Sequence, residues 1–131
     1  MGLENKHLDM LQNIEFAIVS IYREQSSLLD YDVMRALDAL IDFYRAESRG
    51  HTPKEIRLPA TEDLIFQRTK DMCEFRLGRT AQVIHLQAIS GEEKKVDEIL
   101  ACLRKVRKSV DRWNKRGGPQ GYLRFVCQYV K

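Results

Sequence analysis

An all-α fold, an antiparallel bundle of four main helices plus a short C-terminal helix in one domain over residues 1–131, is predicted by three features of this sequence. Apolar residues recur at alternating steps of three and four, most clearly at Val96, Ile99, Leu103, Val106, Val110 and Trp113, which puts all six on one stripe of a helix. Glycines and prolines are few, seven and three, and cluster between the periodic stretches, where they end helices instead of interrupting them. The one stretch with a trace of alternation, residues 79–89, is too short and isolated to make a sheet.

The first helix is expected over about residues 5–25, its core residues Leu11, Ile14, Ile18 and Ile21 leading to Leu28. Phe16, Val19 and Tyr22 widen that face, so the helix should touch more than one neighbour. A short connection follows, with Ser27 or Asp30 as candidate N-cap for a second helix over about 31–48, and short connections favour antiparallel neighbours. Met34, Leu37, Ile41 and Tyr44 form its core stripe and Gly50 its stop. Between 49 and 60 the pattern breaks. Thr52-Pro53-Lys54-Glu55 predicts a single helical turn that Pro59 halts.

The third helix, about 60–77, carries Ile65, Met72 and Phe75 beside a row of Phe66, Thr69, Cys73 and Leu77, and Gly78 closes it. Residues 79–89 read as a packed connection or helical extension. The fourth helix, 90–116, starts at a capping box of Ser90 and Glu93 and stops at Gly117-Gly118-Pro119. A last helix over about 120–130 is apolar nearly all round.

At 131 residues the chain has length enough for one self-sufficient core. It lacks an apolar run of membrane-spanning length and a signal-peptide pattern, so a cytoplasmic protein with no membrane partner is expected. Cys73, Cys102 and Cys127 lie at wide spacing in apolar patterns, which fits reduced, buried thiols. The net charge of +3 conceals an asymmetry: 11 bases against 3 acids from Lys94 onward, and 11 against 16 before it.

No residue constellation argues for an enzyme, a metal or a cofactor. A di-iron bundle needs two Glu-x-x-His pairs and two further glutamates facing inward, whereas one such pair is present, Glu4 with His7, and the core stripes contain no carboxylate. Asp38, Asp42 and Arg45 read as a solvated face. Cys73 with His85 is the one nucleophile–base pairing, and buried inert cysteine is the commoner outcome. Phosphate-loop, dinucleotide and zinc-type patterns are missing.

Two surfaces remain. Arg104, Lys108, Arg112 and Arg116 recur at every fourth residue and form a row away from the apolar stripe. They match the helix macrodipole and serve solubility; they also make a face for nucleic-acid phosphates or an acidic protein. Lys115, Gly118, Gly121 and Arg124 extend it around the turn, where glycines permit close approach and the free amides of a helix start favour anions, with Trp113 and Tyr122 beside it for a base to stack on. The tetrad Gly118-Pro119-Gln120-Gly121 resembles the Gly-x-x-Gly loop of KH nucleic-acid-binding domains, whose strands this sequence does not show. The second surface is the last helix: Tyr122, Phe125, Val126 and Tyr129 suggest self-association, most simply a homodimer. A small non-enzymatic interaction module is therefore the leading expectation, and a nucleic-acid binder its alternative.

Overall fold

The 26-residue helix α4 (Glu92–Gly117) is the longest element, and the other helices are arranged about it. The computed structural model describes residues 2–53, 55–78 and 92–130, with side chains described over 9–53, 55–78 and 95–130. Before α4 come α1 (Gly2–Glu24), α2 (Asp30–Ser48) and α3 (Ala60–Leu77). After it a 3-10 turn, Gly118–Gln120, leads into α5 (Gly121–Tyr129). The described residues contain no strand, so the all-α expectation holds. The segment 79–89, the Ser90 cap and His85 lie outside the described residues.

Helix directions follow from the contacts. Ser48 meets Asp97, Asp38 meets Arg107, and the carbonyl of Leu28 meets Gln120, so α2 and α4 are antiparallel. Arg35 pairs with Glu62 and Tyr44 with Glu74, so α2 and α3 run the same way. Each of α1 and α2 packs on both α3 and α4, while α1 and α2 barely touch. The short connection between them therefore links helices across a diagonal, not the neighbours the sequence suggests. A parallel α2/α3 pair requires the chain to return along the bundle. Residues 49–59 do so: 11 residues can reach about 36 Å when extended, more than the roughly 28 Å of a 19-residue helix. Ile56 and Leu58 anchor this crossover on the core. Thr52, Pro53 and Glu55 are not helical, so the predicted turn at 52–55 is not formed by them, and Lys54 lies outside the described residues.

The core is the predicted one with a few changes of membership. Ile14, Ile18, Ile21, Leu37, Ile65, Cys73, Ile99, Leu103 and Val110 are fully or almost fully buried. Phe75, expected inside, is 74% exposed, because it lies about 200° around α3 from the buried Cys73. Phe16 is likewise exposed. Gly50 takes a left-handed φ of 72° and closes α2, with the amide of His51 donating to Ala46 and that of Gly50 to Glu47.

Candidate functional site

The row Arg104, Lys108, Arg112 and Arg116 is exposed along its whole length. Its backbone is rigid, because the opposite stripe of α4, Val96 through Val110, is buried. Among the described residues, four other cations are ion-paired, Arg107 with Asp38 at 2.9 Å, Arg68 with Glu24 at 2.9 Å, Arg35 with Glu62 at 3.7 Å, and Lys115 with Asp111 at 3.1 Å, whereas Arg45, Arg49, Arg57 and Lys105 have no ion pair with a described residue. No ion pair with a described residue holds any of the four row residues. Lys115, predicted as part of the site, is thus tied to its own helix.

At the C-terminal end of the row, Arg116 and Arg124 line a pocket of about 310 Å³ together with Trp113, Gly121, Phe125 and Gln128. Of the residues expected around the turn, Trp113, Arg116 and Arg124 line this pocket and Lys115 and Tyr122 do not. The stacking partner is not the expected one. Tyr122 is buried in the core, and it is Phe125 that stacks on Trp113, at 4.0 Å between ring centres and 15° between planes, with Tyr129 edge-on to Phe125. The guanidinium of Arg116 sits over Trp113 at 5.9 Å. This aromatic column joins α5 to α4.

The free-amide reading of the turn does not survive. Asp30, buried and first in α2, accepts hydrogen bonds from the amides of Tyr122 at 2.9 Å and Leu123 at 3.3 Å. It caps α5 from another helix, while the N-cap of α2 itself is Leu29, whose amide donates to Asp32. The start of α5 thus already holds an anion, the protein's own carboxylate. Gln120 donates to the carbonyls of Ser26 and Leu28, each at 2.8 Å, which bolts the turn to the α1–α2 connection. Gly121 serves packing: a Cβ there would collide with the carbonyl oxygen of Trp113. Gly118 supplies a left-handed φ of 78°. The likeness to a Gly-x-x-Gly loop therefore ends at the tetrad, since the described residues hold no strand and the second glycine faces protein.

The association surface shrinks in the same way. Tyr122 and Val126 are fully buried, because α5 packs against α1, α2 and α4 at once. Phe125 is half-buried, and Tyr129 remains exposed.

Three carboxylates that the apolar stripes did not reveal are buried: Glu15, Asp30 and Glu62. The hydroxyl of Tyr129 donates to Oε2 of Glu15 at 2.5 Å. Burial pushes the Glu15 carboxyl above the usual range, and that hydrogen bond partly offsets the push. Burial also raises Asp30, against the two amides and Arg124. Tyr129 is raised by burial and by Glu15, and Tyr122 by burial and by Glu15, Tyr129 and Asp30. The Tyr122 hydroxyl has no hydrogen-bond partner among the described residues.

These tyrosines give a pH prediction whose sign is fixed. A folded-state value above the unfolded one of about 10 means a stabilising contribution that is complete below pH ~10 and is lost as pH rises toward the folded value. In an alkaline titration, Tyr122 and Tyr129 should form tyrosinate only as helix is lost. Tyrosinate formed at Tyr122 and Tyr129 without loss of helix would contradict this.

The remaining candidates have plain structural roles. Cys73, Cys102 and Cys127 are free thiols, and burial raises Cys73 and Cys102 above the usual thiol range, which makes them poor nucleophiles. Arg45 and Arg49, near a cavity that Asp42 and His51 also line, complement the carbonyl end of α2. Among the described residues no group of three or more His, Cys, Asp or Glu is placed to hold a metal ion, and no helix is long and apolar enough to cross a membrane. Comparison with protein-family models, curated proteins and solved structures finds no match.

Proposed function

We propose that this chain is a small non-enzymatic helical module that binds nucleic acid through its phosphate backbone, along the exposed face of α4. The observation that carries the reading is the exposure of four cations, Arg104, Lys108, Arg112 and Arg116, at every fourth residue of one helix, none of them ion-paired with a described residue. Successive members are about 6 Å apart along the axis, at 1.5 Å per residue, so a phosphate chain can follow the row without bending the helix. Phosphate contacts of this kind are insensitive to sequence and release counterions.

Titrating labelled single strands across a salt series tests it. Four phosphate contacts predict a slope of log affinity against log salt of about −3 for single strands, and wild-type protein that shows no salt-dependent binding would refute the reading. Self-association, the other role expected from the sequence, retains a smaller support in Phe125 and Tyr129, and light scattering at tens of micromolar reads it directly.

A further inference from the structure

Beside the basic row lies a second cavity, of about 280 Å³, where α1, α4 and the end of α5 meet. Leu11 and Val106 form apolar walls, Tyr129 an aromatic one, Gln12 and Ser109 add polar groups, and Lys105 contributes the cation. Glu15 supplies the acceptor. Its Oε2 is occupied by the Tyr129 hydroxyl. Its Oε1 has no hydrogen bond to a described residue, and it is not among the buried, unpaired atoms of the described residues, which are Thr69 Oγ1 and the Tyr122 hydroxyl oxygen. A buried glutamate thus keeps one oxygen open, on a cavity that Glu15 itself lines. The size is at the lower end for ligand pockets, which suits one ring.

A carboxylate oxygen accepts only, so the occupant must bring an N–H donor. Lys105 is exposed on the same rim, so the occupant also carries negative charge nearby. Lys105 and Ser109 directly follow Arg104 and Lys108 in α4, which places the cavity mouth next to the row. A nucleotide within a bound strand meets all three demands: planar ring, amino group and phosphate.

We propose that this cavity is a base-reading pocket, in which Glu15 Oε1 accepts a hydrogen bond from the exocyclic amino group of an unstacked nucleobase while Lys105 holds the adjoining phosphate. The proposal rests on the phosphate-binding reading above and adds selectivity to it. The row positions the strand, and Glu15 discriminates against a base that presents a carbonyl where another presents an amine.

The test compares oligo(dC) with oligo(dU), whose bases present an amine and a carbonyl, respectively, at the same ring position. Wild-type protein should bind oligo(dC) roughly tenfold more tightly, as one good base-edge contact gives. Glu15→Gln, whose amide can donate as well as accept, should erase the preference while leaving the salt slope unchanged. It keeps a carbonyl acceptor for the Tyr129 hydroxyl, so the fold should be retained, which circular dichroism checks. Equal, salt-dependent binding of both oligonucleotides by wild type would overturn the pocket and leave the backbone reading standing. A preference that persists in folded Glu15→Gln would overturn it too. No salt-dependent binding of either strand would overturn both readings. The wild-type comparison decides the matter even if the variant does not fold.

Discussion

Gly121→Ala should destabilise the chain by about 3 kcal/mol or more, the upper part of the range for forcing extra volume into a packed interior. The added Cβ meets the carbonyl oxygen of Trp113 head-on and lies 3.1 Å from its carbonyl carbon. These are main-chain atoms in the middle of a helix turn, so they cannot rotate away as a side chain would. Relief requires α5 to lift from α4, and that motion would pull apart the Trp113–Phe125 stack and the Asp30 cap together. At roughly 4 °C per kcal/mol for a domain of this size, the melting temperature should fall by about 12 °C. Gly117→Ala is the internal control. It has open space around a Cβ and a negative φ of −110°, so its melting temperature should stay close to that of wild type. Equal melting temperatures for the two variants would show that the α4–α5 contact is looser than described.

Asp30→Ala should be nearly as damaging, at about 3 kcal/mol, because it orphans two buried amides at once, each worth roughly 1–3 kcal/mol when left without a partner. Asp30→Asn keeps a carbonyl acceptor for one of them and should lose less. The pH dependence runs opposite to that of a salt-bridged carboxylate. Burial holds the folded-state value of Asp30, like that of Glu15, above its ordinary one. A raised carboxyl contributes stability that is complete below the unfolded value and is lost as pH rises through the folded one. Thermal melts should therefore show the gap between Asp30→Asn and wild type narrowing, not widening, as pH rises above the ordinary Asp value. A widening gap would mean that the ionised cap is net favourable.

The helices were legible in the sequence because apolar spacing and the glycines that close them, Gly50 and Gly78, are local signals, whereas the candidate N-caps of α2 were misplaced. The boundaries of α2, α3 and α4 fall within about two residues of those read from Tyr31, Ala60, Gly78 and Gly117. Topology was not legible. The parallel α2/α3 pair depends on how far residues 49–59 stretch, and no residue type among them encodes that.

The candidate site was half legible. The basic row announces itself by its fourfold spacing, and Trp113, Arg116 and Arg124 do line one pocket. The roles of Asp30 and Gln120 were hidden because they act across more than 90 positions of sequence. Tyr122 and Phe125 look alike in a sequence, and only the approach of α1 and α2 to one side of α5 decides which is core. Glu15 left one trace, an acid set between Ile14 and Phe16 in an otherwise apolar stretch. An isolated acid there signals either a partner or a site.

The central claim is that the exposed basic row of α4 carries phosphate binding, and the most direct measurement compares salt slopes for wild type and for a variant with Arg104, Lys108 and Arg112 all changed to Gln. These three are exposed and make no ion pair with a described residue, so the fold should be unaffected. Each lost phosphate contact removes about 0.7 from the single-strand slope, so the variant should fall from about −3 to about −1 and bind more weakly at low salt. A variant with the wild-type slope would contradict the claim.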